Sequence, residues 1–195
     1  MSLIFIDTET TGLTPFHERK IIYPGRYELW DACRIVQIAW IVCDDKGETV
    51  ETHEYLIKPD GFIIPEESTR IHGITQNEAE EKGKEIKDVL TLLLKDMDTC
   101  RMIVAHNVEF DYNVILSEIF RCKATSREIS EKMFLYTDTY CTMKHGTQKG
   151  KRWPRLGALY EEYFNCKPSL RLHSALNDTL ICKDIYYYQL GKRML

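Results

Sequence analysis

No apolar run in this chain of 195 residues approaches the length of a membrane-spanning helix, which excludes helical insertion into a bilayer. The segment 1–6 is too short and too poor in charge to open a secretory signal. Basic excess is also lacking: 26 Lys plus Arg stand against 30 Asp plus Glu. No global positive field therefore draws in nucleic acid, and any such binding has to be local. The seven cysteines are odd in number, widely spaced and free of C-x-x-C pairs, which argues against a disulfide framework and for a reducing, cytoplasmic setting. A zinc site built from Cys141, His145, Cys166 and His173 would lack paired ligand spacing. Repeats and low-complexity stretches are absent too, so the expectation is one domain over 1–195.

What is present is organised around Leu3-Ile4-Phe5-Ile6-Asp7-Thr8-Glu9-Thr10-Thr11-Gly12-Leu13. Leu3 to Ile6 is apolar enough for a buried strand, and on a strand side chains i and i+2 share a face. Asp7 and Glu9 then point the same way. Two carboxylates about 4 Å apart repel by ~4 kcal/mol at an effective dielectric near 20. A divalent cation between them relieves this, and all-oxygen ligands favour Mg²⁺ or Mn²⁺ over zinc. The competing reading is an ordinary acidic strand end before a glycine turn.

Segment 13–33, with Pro15, Pro24 and Gly25 among several aromatics, reads as a long loop: either a flap near a nucleic-acid site or a packed surface excursion. Two strands joined at Asp44 to Gly47 form a hairpin, the second more exposed than the first. Thr75 with Glu78 predicts a capping box, Gly83 a helix stop, and Ile86, Val89, Leu90, Leu93 and Leu94 a sheet-facing stripe. Met102 to Ala105 is a short strand leading to Asn107 as N-cap of a helix that carries Asp111 one turn in. A last strand is expected at Met133 to Tyr136, a helix at Leu156 to Phe164, and a terminal helix capped by Ser174 with Asp178 one turn inside. Five helical residues rotate by about 140°, so His173 and Asp178 converge only if His173 sits on the loop before that helix. Strands first, then alternating helix and strand, give an α/β layer fold with a mixed sheet.

Asp7-Thr8-Glu9, the Asp111 of His106-Asn107-x-x-Phe110-Asp111, and His173-x-x-x-x-Asp178 together resemble the three motifs of the DEDDh 3′→5′ exonucleases, the DnaQ-like branch of the RNase H-like fold. Ile71-His72-Gly73-Ile74 and Trp153-Pro154-Arg155-Leu156 match as well. The resemblance implies a mixed five-stranded sheet, three antiparallel strands followed by parallel ones, flanked by helices. It implies an exonuclease that releases 5′-mononucleotides from the 3′ end of single-stranded DNA or RNA, using two Mg²⁺ or Mn²⁺ ions. Asp7, Glu9, Asp111 and Asp178 would be the ligands, Asp7 bridging, with His173 as general base. Two ions about 3.5–4 Å apart suit a reaction that must activate water and stabilise a leaving oxygen, and an imidazole with a pKa near 6.5 suits the proton transfer.

By the same resemblance, Thr10, Leu13, His72 and Phe110 form the terminal-nucleotide pocket, with Leu13 and Phe110 also readable as core. His106 either contacts the scissile phosphate or finishes its strand structurally. The basic stretch 144–155, with Trp153, either neutralises upstream phosphates and stacks a base or is a solvated loop with its indole in the core. Partners implied are a nucleic-acid 3′ end and a polymerase or repair complex. Rival classes are a silent nuclease fold used for nucleic-acid binding or polymerase docking, an exoribonuclease of the same fold, and a phosphomonoesterase.

Overall fold

The computed structural model describes residues 2–17, 20–123, 137–148 and 151–191. The strand expected at 133–136 falls outside them, as do Arg19 and Lys149. One five-stranded sheet runs in the order β5(Thr49–Leu56), β4(Ile35–Cys43), β1(Ser2–Thr10), β6(Cys100–Ala105), β7(Asp138–Cys141). β1 is antiparallel to β4 and parallel to β6, and β7 is parallel to β6. This is the mixed order expected: a meander of three, then parallel additions. Asp138 opens the described strand at the sheet edge.

β1 lies at the centre because both its faces are apolar. Ile4 and Ile6 face a cluster completed by Trp40, Leu90, Leu93 and Ile115, and Leu3 and Phe5 face another with Ile181, Ile185, Tyr186 and Tyr187. The first layer is α3(Ile86–Met97) with α4(Val108–Cys122), and the second is α6(Leu156–Phe164) with α7(Ala175–Gln189); α1(Glu66–His72) and α2(Gln76–Lys82) precede the first pair in the chain and α5(Thr142–Gly146) precedes the second. On α3, Val89, Leu90, Leu93 and Leu94 are all buried at helical spacing, each stabilising by ~1.5–3 kcal/mol over exposure. Odd-numbered residues of β1 share the α7 side, so Asp7 and Glu9 continue the face of Leu3 and Phe5.

Several helix ends form by other means than the local pattern predicts. Thr75 accepts the Glu78 N–H at 3.2 Å, but the Glu78 carboxylate meets Lys82 Nζ at 3.1 Å instead of returning to the cap. Gly83 ends α2 without a left-handed turn; a Cβ there would lie 2.2 Å from Ala79 O and 2.4 Å from Lys58 N, so close approach demands glycine. Asn107 precedes α4 in the left-handed region, φ 70°, and its side chain makes no capping bond. Ser174 likewise caps α7 by position only.

Segment 13–33 is more ordered than a plain loop. Two-residue strands β2(Phe16–His17) and β3(Lys20–Ile21) pair, and a 3-10 turn at Tyr27–Trp30 buries Trp30 in the core. Arg121 of α4 pins the far end, pairing with Asp31 at 2.7 Å and lying over the Tyr27 ring. Strands this short carry too little alternation to be read from sequence.

Candidate active site

The C-terminal half of β1, the start of α4 and the start of α7 deliver the acids to one place. Asp111 is tied to β1 directly: its Oδ1 accepts the Thr8 backbone N–H at 2.9 Å and the Thr8 hydroxyl at 2.7 Å. Thr8 sits between the two acids of β1 and serves as the anchor for the third. Asp178 Oδ2 accepts the His173 N–H at 3.2 Å, while its Oδ1 is buried with no protein partner. Ligand atoms of Glu9, His173 and Asp178 all lie within 4.8 Å of one another.

Electrostatics follow from this crowding. Burial, then Asp111, Asp178 and Glu9, hold the Asp7 carboxyl well above the ordinary range. Burial, then Asp178 and Asp111, lift Glu9 to about 8. Asp111 rises to about 7, burial and Asp178 outweighing the two Thr8 bonds, and Asp178 to about 6, burial outweighing the His173 N–H and imidazole. Four acids that resist ionisation together, with one buried oxygen left orphaned, form a hard, all-oxygen donor set that fits divalent cations. His173 is exposed on the loop before α7, as its spacing to Asp178 requires, and its φ of 65° is unusual for a residue bearing a side chain.

A cleft of about 710 Å³ opens beside the acids, lined by Glu9, Thr10, Gly12, Leu13, His72 and Phe110 among others. Its floor is locked. Thr10 Oγ1 donates to Gly12 O at 2.7 Å, Ser68 Oγ to Thr11 O at 2.6 Å, and the Arg34 N–H to Thr11 Oγ1 at 2.9 Å. A Cβ on Gly12 would come within 2.5 Å of Ala32 O. Leu13 is not core: 80% of it is exposed. Phe110 packs its inner side on the core and lines the cleft. His72 Nδ1 accepts the Ile74 N–H at 3.0 Å and its buried Nε2 has no protein partner; burial, then His173, lower its pKa.

Both ring nitrogens of His106 are engaged within the chain. Its Nδ1 bonds Thr142 Oγ1 and its Nε2 bonds Pro154 O, each at 3.0 Å, and burial lowers its pKa to about 4. It straps the 151–155 segment to the end of β6. Trp153 in that segment is 61% exposed, not in the core. The imagined zinc set does not assemble among the described residues; His145 stacks on Tyr140 at 3.9 Å and bonds Cys141 O. Gln37 escaped the sequence reading, yet its Oε1 accepts the Ala175 N–H at 3.0 Å and fixes the start of α7 against β4.

A family model described as an exonuclease, RNase_T, matches residues 4–186. The chain belongs to this exonuclease family. It is a nuclease enzyme, and the family is dependent on divalent metal. The exonuclease is 27% identical over 196 aligned residues to the DNA polymerase III subunit epsilon of Rickettsia conorii, covering 97% of this chain and 74% of the relative. It is 31% identical over 116 residues to a PolC-type DNA polymerase III of Mycoplasmopsis pulmonis, covering 57% of this chain but only 6% of that polymerase. Among solved structures, E. coli exonuclease I in complex with a dA16 oligonucleotide superposes with a TM-score of 0.69 at 18% identity, over 98% of this chain and 41% of that one. The shared fold is the DnaQ-like, RNase H-like sheet. The exonuclease thus spans less than half of exonuclease I and a small part of the PolC-type enzyme.

Proposed function

We propose that this chain is one exonuclease domain, 1–195, that removes 5′-mononucleotides from the 3′ end of single-stranded DNA with two Mg²⁺ or Mn²⁺ ions. The carrying observation is the convergence of Asp7, Glu9, Asp111 and Asp178, with the orphaned Asp178 oxygen, beside the exposed His173. When bound, the ions would lower the pKa of an attacking water and stabilise the leaving 3′ oxygen. Asp7, on the central strand β1, would hold the ions together with Glu9, Asp111 and Asp178. Thr8 holds Asp111 in register, so the α4 acid keeps its place on β1.

His173 takes the proton from the water. Its exposed position on a loop lets it pass that proton to solvent. The terminal nucleotide occupies the cleft beside Gly12: Leu13 and Phe110 supply its apolar walls, and Thr10 holds the turn whose backbone approaches the sugar and phosphate. A neutral His72 ring that accepts at Nδ1 carries its proton on Nε2, free to donate to the nucleotide.

DNA is favoured by the relatives, whose names are those of DNA polymerase III components. A polymerase or repair complex in the cytoplasm is the setting in keeping with this reading, and the polymerase names of the relatives support it. No helix among the described residues is long and apolar enough to cross a membrane. The test is a time course on end-labelled single-stranded DNA and matched RNA with Mg²⁺, Mn²⁺ or chelator, beside Asp7→Ala. A metal-dependent ladder from the 3′ end that the variant lacks supports the reading. A faster ladder on RNA transfers it to an exoribonuclease, and binding without cleavage to a silent binding module.

A further inference from the structure

On the sheet face opposite the four acids, three metal-ligating side chains meet. Glu51 and His53 are two residues apart on β5 and stand across from Val42 and Trp40, which pack with the α3 and α4 layer. Asp7 and Glu9 continue the other face, so the sheet lies between the two sets. Asp96 reaches Glu51 and His53 from the last turn of α3. His53 Nε2 lies 3.0 Å from Glu51 Oε2 and 3.4 Å from Asp96 Oδ2, and ligand atoms of all three fall within 4.8 Å of one another. Among the described residues, this imidazole is the one basic group in ion-pairing range of either carboxylate.

We propose that Glu51, His53 and Asp96 form a binding site for a transition-metal dication of the Zn²⁺ class, separate from the four acids. The His53 Nε2 atom offers either one hydrogen or one lone pair. One hydrogen points along one line and serves one carboxylate well, whereas a cation on the lone pair meets both. The spacing suits such an ion: around a tetrahedral Zn²⁺, with bonds of about 2.0–2.2 Å, ligand atoms stand about 3.3–3.6 Å apart. An outer set of partners holds the donors in place. Trp40 Nε1–H donates to Asp96 Oδ2 at 2.8 Å, the indole stacks on the imidazole with ring centres 4.6 Å apart, and the Tyr55 hydroxyl stands 3.4 Å from Nδ1. Metal centres orient their ligands by bonds of this kind. Asp96 also sits at the C-terminal end of α3, where the helix dipole disfavours a carboxylate and favours a cation. An imidazole among carboxylates selects Zn²⁺ over Mg²⁺, with water completing the tetrahedron. Bound there, the ion fastens the edge strand β5 to the end of α3.

The test is a calorimetric titration of Zn²⁺ into the metal-stripped full chain in excess Mg²⁺, beside His53→Asn, Glu51→Gln and Asp178→Asn. The last variant disables the other cluster that contains a histidine, Glu9 with His173 and Asp178. A Zn²⁺ binding event that Mg²⁺ does not suppress is expected in the parent and in Asp178→Asn. Both β5 variants should bind at least about tenfold more weakly, the loss that removing even an outer partner of a metal site causes. Glu51 is exposed, so Glu51→Gln should melt with the parent in chelator, which separates loss of the site from loss of the fold. Zn²⁺ should then raise the melting temperature of the parent and of Asp178→Asn, and that of Glu51→Gln by less. Zn²⁺ bound equally by the parent and both β5 variants, or lost in Asp178→Asn, overturns the site, as does no binding in excess Mg²⁺. None of these outcomes depends on whether the chain cleaves nucleic acid.

Discussion

Asp7 is hemmed in by three further carboxylates, and without cations each resists giving up its proton. A carboxyl whose folded pKa lies above its unfolded value near 4 is held more tightly by the folded state. Its cost is absent below pH 4 and grows as pH rises, here through about 6, 7 and 8 for Asp178, Asp111 and Glu9. Removing one charge should relieve that cost. Asp7→Asn in chelator should therefore melt about 2–6 °C above the parent at pH 8, the response of a chain this size to ~1–1.5 kcal/mol, with the gain fading toward pH 5. Equal melting at pH 8 would mean the acids do not repel. The same variant should lose turnover by ~10³-fold or more. His173 presents a different case, because its ring lies within ligand distance of Glu9 and Asp178. If it is the base, His173→Ala lowers kcat by ~10²–10⁴-fold and leaves Mg²⁺ affinity by calorimetry intact; a tenfold loss of affinity would make it a ligand.

Elements hold the acids in place through bonds that join distant parts of the chain. Just before β4, Arg34 Nε meets Glu118 Oε1 of α4 at 2.7 Å, both side chains nearly inaccessible, and the same oxygen accepts the Ile35 N–H at 3.3 Å. Glu118→Ala would strand a buried guanidinium, so a loss of ~3–5 kcal/mol is expected in urea unfolding. Pairing Arg34→Met with Glu118→Leu should cost much less, and two equal losses would show that the pair stabilises by charge alone. Such bonds mark where reading the sequence stopped. The stripe Val89, Leu90, Leu93 and Leu94 of α3 was legible because periodicity is local, and the D-T-E, Asp111 and His173-to-Asp178 spacings were legible because chemistry restricts them. Glu118, Thr8, Gln37 and the strap from His106 to Pro154 were not. Each takes its meaning from a partner tens of residues away, and no window of sequence contains both ends.

For the whole molecule, the sign of charge works against the substrate. A net formal charge of −4 and a site of four carboxylates repel a polyanion at long range, so local cations must offset the field where the strand lies. Lys151 and Arg152 are exposed beside Trp153, whereas Lys144 already engages Glu109. These two side chains immediately precede Trp153 in the chain. Each phosphate neutralised on a single strand contributes roughly 0.7 to the slope of log affinity against log salt. Replacing Lys151 and Arg152 together by Gln should therefore weaken oligonucleotide binding at low salt and flatten that slope by about 1.4. The difference from the parent should shrink as salt rises, because screening removes the same attraction that the substitutions remove. Anisotropy titrations between 50 and 200 mM salt, about the range over which such contacts fade, measure both. An unchanged slope would leave the stretch 144–155 to its structural strap and require the strand to leave the acids by another face.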